Sequence, residues 1–456
     1  MTKTKRNKKK TRQTKKIKRS LPNKKYSLIH STIQSKLQSK DRVKSVLRKL
    51  KSFILYDIKE ELKLYLPPTN QRSSGRCWLY SYLNGLRLSL ISKYKLQPTF
   101  YLSPTYMMFW DKYEKCNYFL HNVSKYSHES MDHFDNHFLF RNMISDGGTW
   151  NMIQNLVNKY GIVPYSEMKE TTNSINTGNM NNLLHKLLQT GAKKIRNKSD
   201  KEHESIIKDQ MKKIYSILVS CLGNPPKKIH GLDSSDKSCS PKSFYENYIR
   251  SLPGEDVMKH VVLIHVPHFK ENQYYTITHM NNMQNGEQLY YFNVSLKTMK
   301  SLIIQQLRDK RSVWFGCDFG RFHYSSEALL NDNVYSFKEL PVDKKDLILS
   351  KSNSIQYYQT IMNHAMIITG YYHKSSKNTK PLYWLIENSH NHKLKSVSFE
   401  DNHGHVVMSD SWFDSYVIMA VVHESYTKKN ISLFNKIRDK RDAIILPKWS
   451  NLGELL

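Results

Sequence analysis

The chain has 456 residues, with 71 Lys or Arg against 39 Asp or Glu, a formal net charge of +32, and 39% hydrophobic and 12% aromatic residues. That is enough apolar material for one large domain or two to three smaller ones, and 16 Gly with 14 Pro are too few for a collagenous or wholly disordered chain. No apolar run approaches ~18 residues, which excludes a membrane-spanning helix; the basic N-terminus lacks the apolar stretch of a secretory signal; and five widely spaced cysteines argue for a reducing, cytoplasmic setting rather than a disulfide scaffold.

Residues 1–25 carry 13 Lys or Arg and no acid. Residues 1–28 are read as a disordered basic arm, because such a segment buries too little surface to offset the entropy of ordering. The arm keeps a nuclear or virion-associated location open beside the cytoplasmic one. The remaining 431 residues still carry 58 bases against 39 acids, so the folded body is basic in its own right. From Ser27 to Leu50 the apolar residues recur at a helical period. Pro67 and Pro68 end the next segment, and Thr69 to Gly75 reads as a polar turn. Cys77 opens a strong helix whose broad apolar face is Trp78, Leu79, Tyr82, Leu83, Leu86 and Leu90. A second helix is predicted over Thr105 to Leu120, a surface loop over Lys125 to Phe138, and a short helix over Asn151 to Tyr160 closed by Gly161. Residues 166–260 read as mostly helical, with an exposed loop at 227–242. Strands are predicted at Val261–Val266, Tyr274–Thr278, Gln288–Phe292, Val313–Phe319, Ala365–Tyr372, Pro381–Glu387 and Val417–Val422, with a helix at Leu296–Leu307. Helices first and strands later argue for an α+β fold, a helical lobe against an antiparallel sheet lobe.

The chemistry concentrates in Thr69-Asn70-Gln71-Arg72-Ser73-Ser74-Gly75-Arg76-Cys77-Trp78. A cysteine at the first turn of a helix, beside Arg76, is placed to have its thiolate stabilised and to act as a nucleophile. His364 opens one strand run and Asn388 closes the next, so adjacent antiparallel strands bring the two together, the amide orienting the imidazole that serves Cys77. Gln71, with the Cys77 backbone N–H, is placed to receive an oxyanion, an arrangement worth ~2.7–4 kcal/mol per donor. Taken singly these residues also fit ordinary structural roles: a buried apolar thiol, a core histidine, a plain turn. His128, His133 and His137 with Asp132 and Asp135 read as a His-rich loop rather than a metal site. His403 and His405 flank Gly404 and read as a turn. Cys221 and Cys239 lack zinc-ligand spacing. Cys317 reads as core, and Trp110, Trp314, Trp384 and Trp412 as packing.

The segment NQRSSGRCWLYSYLNGLR resembles the active-site segment of the bleomycin hydrolase/aminopeptidase C family, a papain-like cysteine peptidase branch. DGGTWNMIQNLVNKYGIVP (Asp146–Pro164), CLGNPP (Cys221–Pro226), VWFGCDFG (Val313–Gly320), NHAM (Asn363–Met366), IENS (Ile386–Ser389) and AIILPKW (Ala443–Trp449) resemble it too, in the family's order. The likeness runs from about residue 30 to the C-terminus and leaves out the basic arm. It implies a papain-like two-lobe fold spanning 29–440, with a helical insertion around 166–260, and a homohexameric barrel. It implies Cys77 as nucleophile, His364 as general base and acid, Asn388 as orienter and Gln71 as oxyanion donor. Gly147 and Gly148 match the glycine pair that meets the substrate backbone, where a side chain would block a strand-like approach. Residues 441–456 match an arm that enters the active-site cleft, where the carboxylate of Leu456 would face the substrate amino group and make the enzyme an aminopeptidase. The expected substrates are peptides and aminoacyl amides, with no metal or organic cofactor. One departure is His390-Asn391, where the family usually has Trp-Gly; that Trp shields the His–Asn hydrogen bond, so a weaker pair is expected. A second hypothesis follows from the charge: a catalytically weakened scaffold that binds DNA or RNA through its basic arm and channel.

Overall fold

The computed structural model describes residues 38–455 apart from 65, 68, 233–237, 339, 341, 391–404, 429–430, 439 and 441. The basic arm, Asn391, His403 and Leu456 therefore lie outside the described residues. The fold is mixed α and β, with helices leading and strands dominating the second half. Among the described residues, twelve strands join one large sheet. It is not purely antiparallel as expected. His260–Ile264 runs parallel to Tyr291–Asn293, His405–Ser409 to Leu329–Leu330, and Ile444–Leu446 to Gln273–Ile277. Each parallel pair is joined by a long connection, which sequence alternation alone does not reveal.

The helix Cys77–Tyr94 is the axis of the molecule. Twelve of its 18 residues are buried, including Trp78, Ser81, Asn84 and Arg87. Its apolar positions run all round the helix, as expected of a segment covered on every side. It packs on the strand His364–Ser375, and the Ser81 hydroxyl donates to the Ala365 carbonyl at 2.9 Å. Trp314, from the strand Val313–Cys317, donates its indole N–H to the Trp78 carbonyl at 3.1 Å. On the other side Trp78 donates to the Asp146 carbonyl at 2.8 Å. The helix is thus tied to both halves. Among the described residues its buried Arg87 pairs with no carboxylate; the guanidinium donates to the carbonyls of Phe100, Pro67 and Pro98.

The helices Pro104–Lys125, Trp150–Tyr160, Gly178–Arg196 and Asp200–Leu222 build the helical half. Gly161 ends the third predicted helix at φ +73, and a side chain there would meet the Pro241 carbonyl at 2.1 Å, so both backbone and space demand glycine. Two expectations are corrected. The segment Lys125–Phe138 is not all loop: His133 precedes a helix, Phe134–Arg141. His405 is not in a turn but opens the buried strand His405–Ser409 beside Asn378–Glu387. Its histidine and short length concealed it. The loop 227–242 contains a two-stranded ribbon, Ile229–His230 with Ser238–Cys239.

Arg76, the residue before the helix, is fully buried. Its guanidinium makes a two-pronged pair with Glu170 at 3.0 and 3.2 Å, and Glu170 also accepts from Tyr80 at 2.6 Å. Removing the carboxylate leaves a buried unpaired charge. Glu170→Ala is therefore expected to destabilise the fold by about 3–5 kcal/mol, read as a lower denaturant midpoint. The double variant Arg76→Met/Glu170→Met should recover much of that loss, and equal midpoints for wild type and Glu170→Ala would contradict the role given to the pair.

Candidate active site

Cys77 is the first residue of its helix and is half-buried. The turn before it is shaped by close approaches: a side chain at Gly75 would lie 2.9 Å from the Asp146 Cβ. Burial pushes the Cys77 thiol up, against the opposing pull of the backbone N–H groups of Ala365, Trp78 and Cys77 itself. This corrects the expectation of a lowered thiol. Desolvation outweighs the helix terminus, and Arg76, expected to help, is committed to Glu170. A cation neutralised by its own carboxylate lends little to a nearby sulfur.

His364 opens its strand directly opposite Cys317. The neighbouring strand Asn378–Glu387 runs antiparallel to it, and Asn388 follows that strand's end. The two side chains meet: His364 Nε2 lies 2.8 Å from Asn388 Oδ1. An amide oxygen accepts, so Nε2 carries the proton and Nδ1 keeps its lone pair, the tautomer suited to taking a proton. Asn388 is fully buried. Burial draws the His364 imidazole down to about 4, with the Asn388 bond opposing. Two rings flank the imidazole: Phe319 at 4.9 Å between centroids, tilted by 47°, and His390 at 5.3 Å, stacked within 22°.

Gln71 is buried and held on three sides. Its backbone N–H donates to the Ser389 carbonyl at 2.8 Å, its Oε1 accepts from the Ser389 hydroxyl at 2.5 Å, and its Nε2 donates to the Ser74 carbonyl at 2.5 Å. One amide N–H remains beyond that bond. Ser389 is a residue sequence reasoning passed over; lying next to Asn388, it ties the oxyanion candidate to the orienter. A second group it missed lies beside Asn388: Lys59 pairs with Glu387 at 2.5 Å and lies 2.9 Å from His405 Nε2. All three are buried. A carboxylate ending an apolar strand was the available signal for such a pair.

Gly147 and Gly148 differ in what they face. A side chain at Gly148 would sit 2.7 Å from the Trp78 ring, whereas one at Gly147 meets nothing within 4 Å. Both line a cavity of about 530 Å³ that also touches Met152, Met280, Trp449 and Gly453. The loop is anchored from below: Lys115 donates to the Gly147 carbonyl at 2.6 Å. Asp146, paired with Lys112 at 2.6 Å, is held well below the usual carboxylate range by that ammonium and by Thr177 and Asn181, against its own burial. The C-terminal segment reaches the same cavity. Asn451–Leu455 is a short helix, Asn451 donates to the carbonyls of Ile355 and Gln356, and Trp449 lies against Phe134. A larger cavity, about 750 Å³, lies behind Thr69–Ser73 and includes none of the candidate residues.

The His-rich segment separates in the fold: His128 goes to Asp200 at 3.0 Å and Asp135 to His279 at 2.7 Å. Among the described residues no group of three or more His, Cys, Asp or Glu is placed to hold a metal ion, and no helix is long and apolar enough to cross a membrane.

Residues 9–453 match the Peptidase C1-like family. The chain belongs to that family. The match takes in most of the basic arm, which the sequence reading had left outside. The chain is 34% identical to aminopeptidase C of Lactobacillus delbrueckii subsp. lactis over 403 residues, and 31% identical to human bleomycin hydrolase over 408. Each alignment covers 85% of this chain and 86% of the relative. The crystal structure of PepW from Lactobacillus rhamnosis HN001 superposes with a TM-score of 0.80 at 29% identity, covering 93% of this chain and 92% of that one. Membership of the Peptidase C1-like family makes the protein a cysteine-type peptidase, and its relatives place it in the aminopeptidase branch.

Two outcomes follow from this geometry. A base titrating near 4 is protonated and useless below that value and available above it, so kcat/KM for hydrolysis should collapse as pH falls through about 4, not through the ~6.5 of an ordinary histidine. Gly148→Ala should cost about 1–3 kcal/mol through overlap with Trp78, whereas Gly147→Ala should keep stability within about 0.5 kcal/mol and raise KM for peptides. Thermal denaturation and steady-state kinetics separate the two.

Proposed function

We propose that this protein is a cysteine aminopeptidase of the bleomycin hydrolase type, hydrolysing N-terminal peptide and aminoacyl-amide bonds through Cys77, His364 and Asn388. What supports the reading most is the 2.8 Å bond from His364 Nε2 to Asn388 Oδ1, made beside a helix that begins at Cys77. Burial raises the Cys77 thiol and lowers the His364 imidazole. As the Cys77 sulfur attacks the scissile carbonyl carbon, its proton passes to His364 Nδ1. The oxygen gains negative charge and is met by the remaining Gln71 amide N–H and the Cys77 backbone N–H, which as a first-turn donor has no partner within the helix. Collapse expels the amine, which takes the proton from His364 and leaves a thioester. Water then attacks the thioester, its proton going to His364, and the thiol is restored as the acid departs.

Gly147 lies along the path of the substrate backbone, and the segment from Trp449 onward closes the cavity beyond it, so that only a chain with a free amino end fits. The same proposal includes a helical insertion around 166–260, a homohexamer and a cytoplasmic setting. The nucleic-acid alternative rests on the basic arm, which lies outside the described residues, and on the basic body, and no comparison supports it. Cys77→Ala should abolish turnover of aminoacyl fluorogenic amides and labelling by a thiol-directed epoxide, while unchanged turnover would refute the assignment. Removing residues 449–456 should shift cleavage toward internal bonds; an unaltered cleavage pattern would count against the role given to the arm.

A further inference from the structure

Asn388 and Ser389 follow directly on Glu387, the last residue of the strand Asn378–Glu387. Between this strand and the one that opens with His364, Ile367 faces Glu387 and Ile368 faces Ile386, and then a bulge at Thr369 shifts the register. Those two paired positions set the end of one strand against the start of the other before the ladder slips. Asn388 itself adds one bond. It is buried, its Oδ1 meets His364, and its Nδ2 has no partner among the described residues. The further tie on this strand end is made by Glu387.

Its carboxylate pairs with Lys59 at 2.5 Å, and both side chains are buried. Lys59 belongs to the helix Ile58–Leu62, which follows the strand Ile54–Asp57. Gly370 of the His364 strand is paired with Asp57 on one edge and with Leu385 on the other. The ion pair therefore spans the His364 strand and joins its two neighbours to each other. Lys59 is itself held: its backbone N–H donates to the Asp57 carboxylate at 3.0 Å, and its ammonium donates to His405 Nε2 at 2.9 Å, His405 being the register partner of Glu387. Burial raises the Glu387 carboxyl, yet the surrounding cations, Lys59 foremost, hold it below its ordinary value. We propose that Lys59 and Glu387 are positioning residues for the hydrolysis, their buried ion pair fixing the strand end from which Asn388 reaches His364 and Ser389 reaches Gln71. The inference rests on the assignment of His364 and Asn388 to the reaction. A pair that served stability alone would be replaceable by apolar side chains of similar volume, because desolvation cancels much of its Coulombic gain. A positioning pair is not replaceable in this way. Apolar contact has no direction, and it leaves the bulged ladder free to shift.

The test compares wild type with Glu387→Gln and with the double variant Lys59→Met/Glu387→Met, using an aminoacyl fluorogenic amide, with thermal denaturation of each. Rates are referred to the fraction folded at the assay temperature, read by circular dichroism, so that a loss of stability is not counted as a loss of turnover. The double variant should melt near the wild type. Its kcat should fall about tenfold with KM changed by less than about twofold, the signature of a lost transition-state arrangement. Glu387→Gln keeps an oxygen to accept from the ammonium and should stay within about threefold of the wild-type kcat. Wild-type kcat in the double variant would overturn the proposal and leave the pair a structural one. So would a loss confined to KM, or a fall in Glu387→Gln as large as that of the double variant. Turnover that survives in Cys77→Ala or His364→Ala, measured in the same series, would instead break the underlying assignment.

Discussion

The position of one sulfur is set by a helix that has no freedom to turn. Cys77 begins a helix that is buried along most of its length, with Ser81 bonded to one strand, the Trp78 carbonyl to Trp314 and the Trp78 indole to the Asp146 carbonyl. Rotating the helix by one residue would break all three bonds and bring Asn84 and Arg87 out of the carbonyl and hydroxyl cages that satisfy them. Groups buried in this way are costly to leave unmatched. The position of Cys77 is thus fixed by structural bonds made elsewhere along the helix, and the strand that opens with His364 packs against the same helix.

The electrostatics of the pair follow from the same burial. A helix terminus favours a thiolate, yet here the thiol is raised and the imidazole lowered, since a desolvated site penalises each charge taken separately. The positive charge that sequence alone would assign to the sulfur, that of Arg76, is spent on Glu170, 94 residues away along the chain. It stabilises the fold instead of the thiolate.

Much of the architecture was legible because it is local. The Cys77 helix follows from its apolar run, the Gly161 terminus from a residue that can take positive φ, and the meeting of His364 with Asn388 from two strand-like runs in succession. What escaped was long-range. The strand His405–Ser409 opens with a histidine that is buried only because Lys59 and Glu387 lie beside it. The helix Phe134–Arg141 has no side-chain cap to announce it. The parallel pairings join segments far apart in the chain, which no local period records. Of the candidate site, Cys77, His364, Asn388 and Gln71 could be named in advance. The grip of Ser389 on Gln71 and the pairing of Arg76 with Glu170 became apparent only in three dimensions.

Asn388 and Ser389 are consecutive, and each serves a different half of the site. The first orients the imidazole; the second grips Gln71 through both its side chain and its backbone. One peptide unit thereby couples the His364 imidazole and the Gln71 amide mechanically. Any displacement of this strand end from the Gln71 turn would therefore disturb the settings of His364 and Gln71 in a single step.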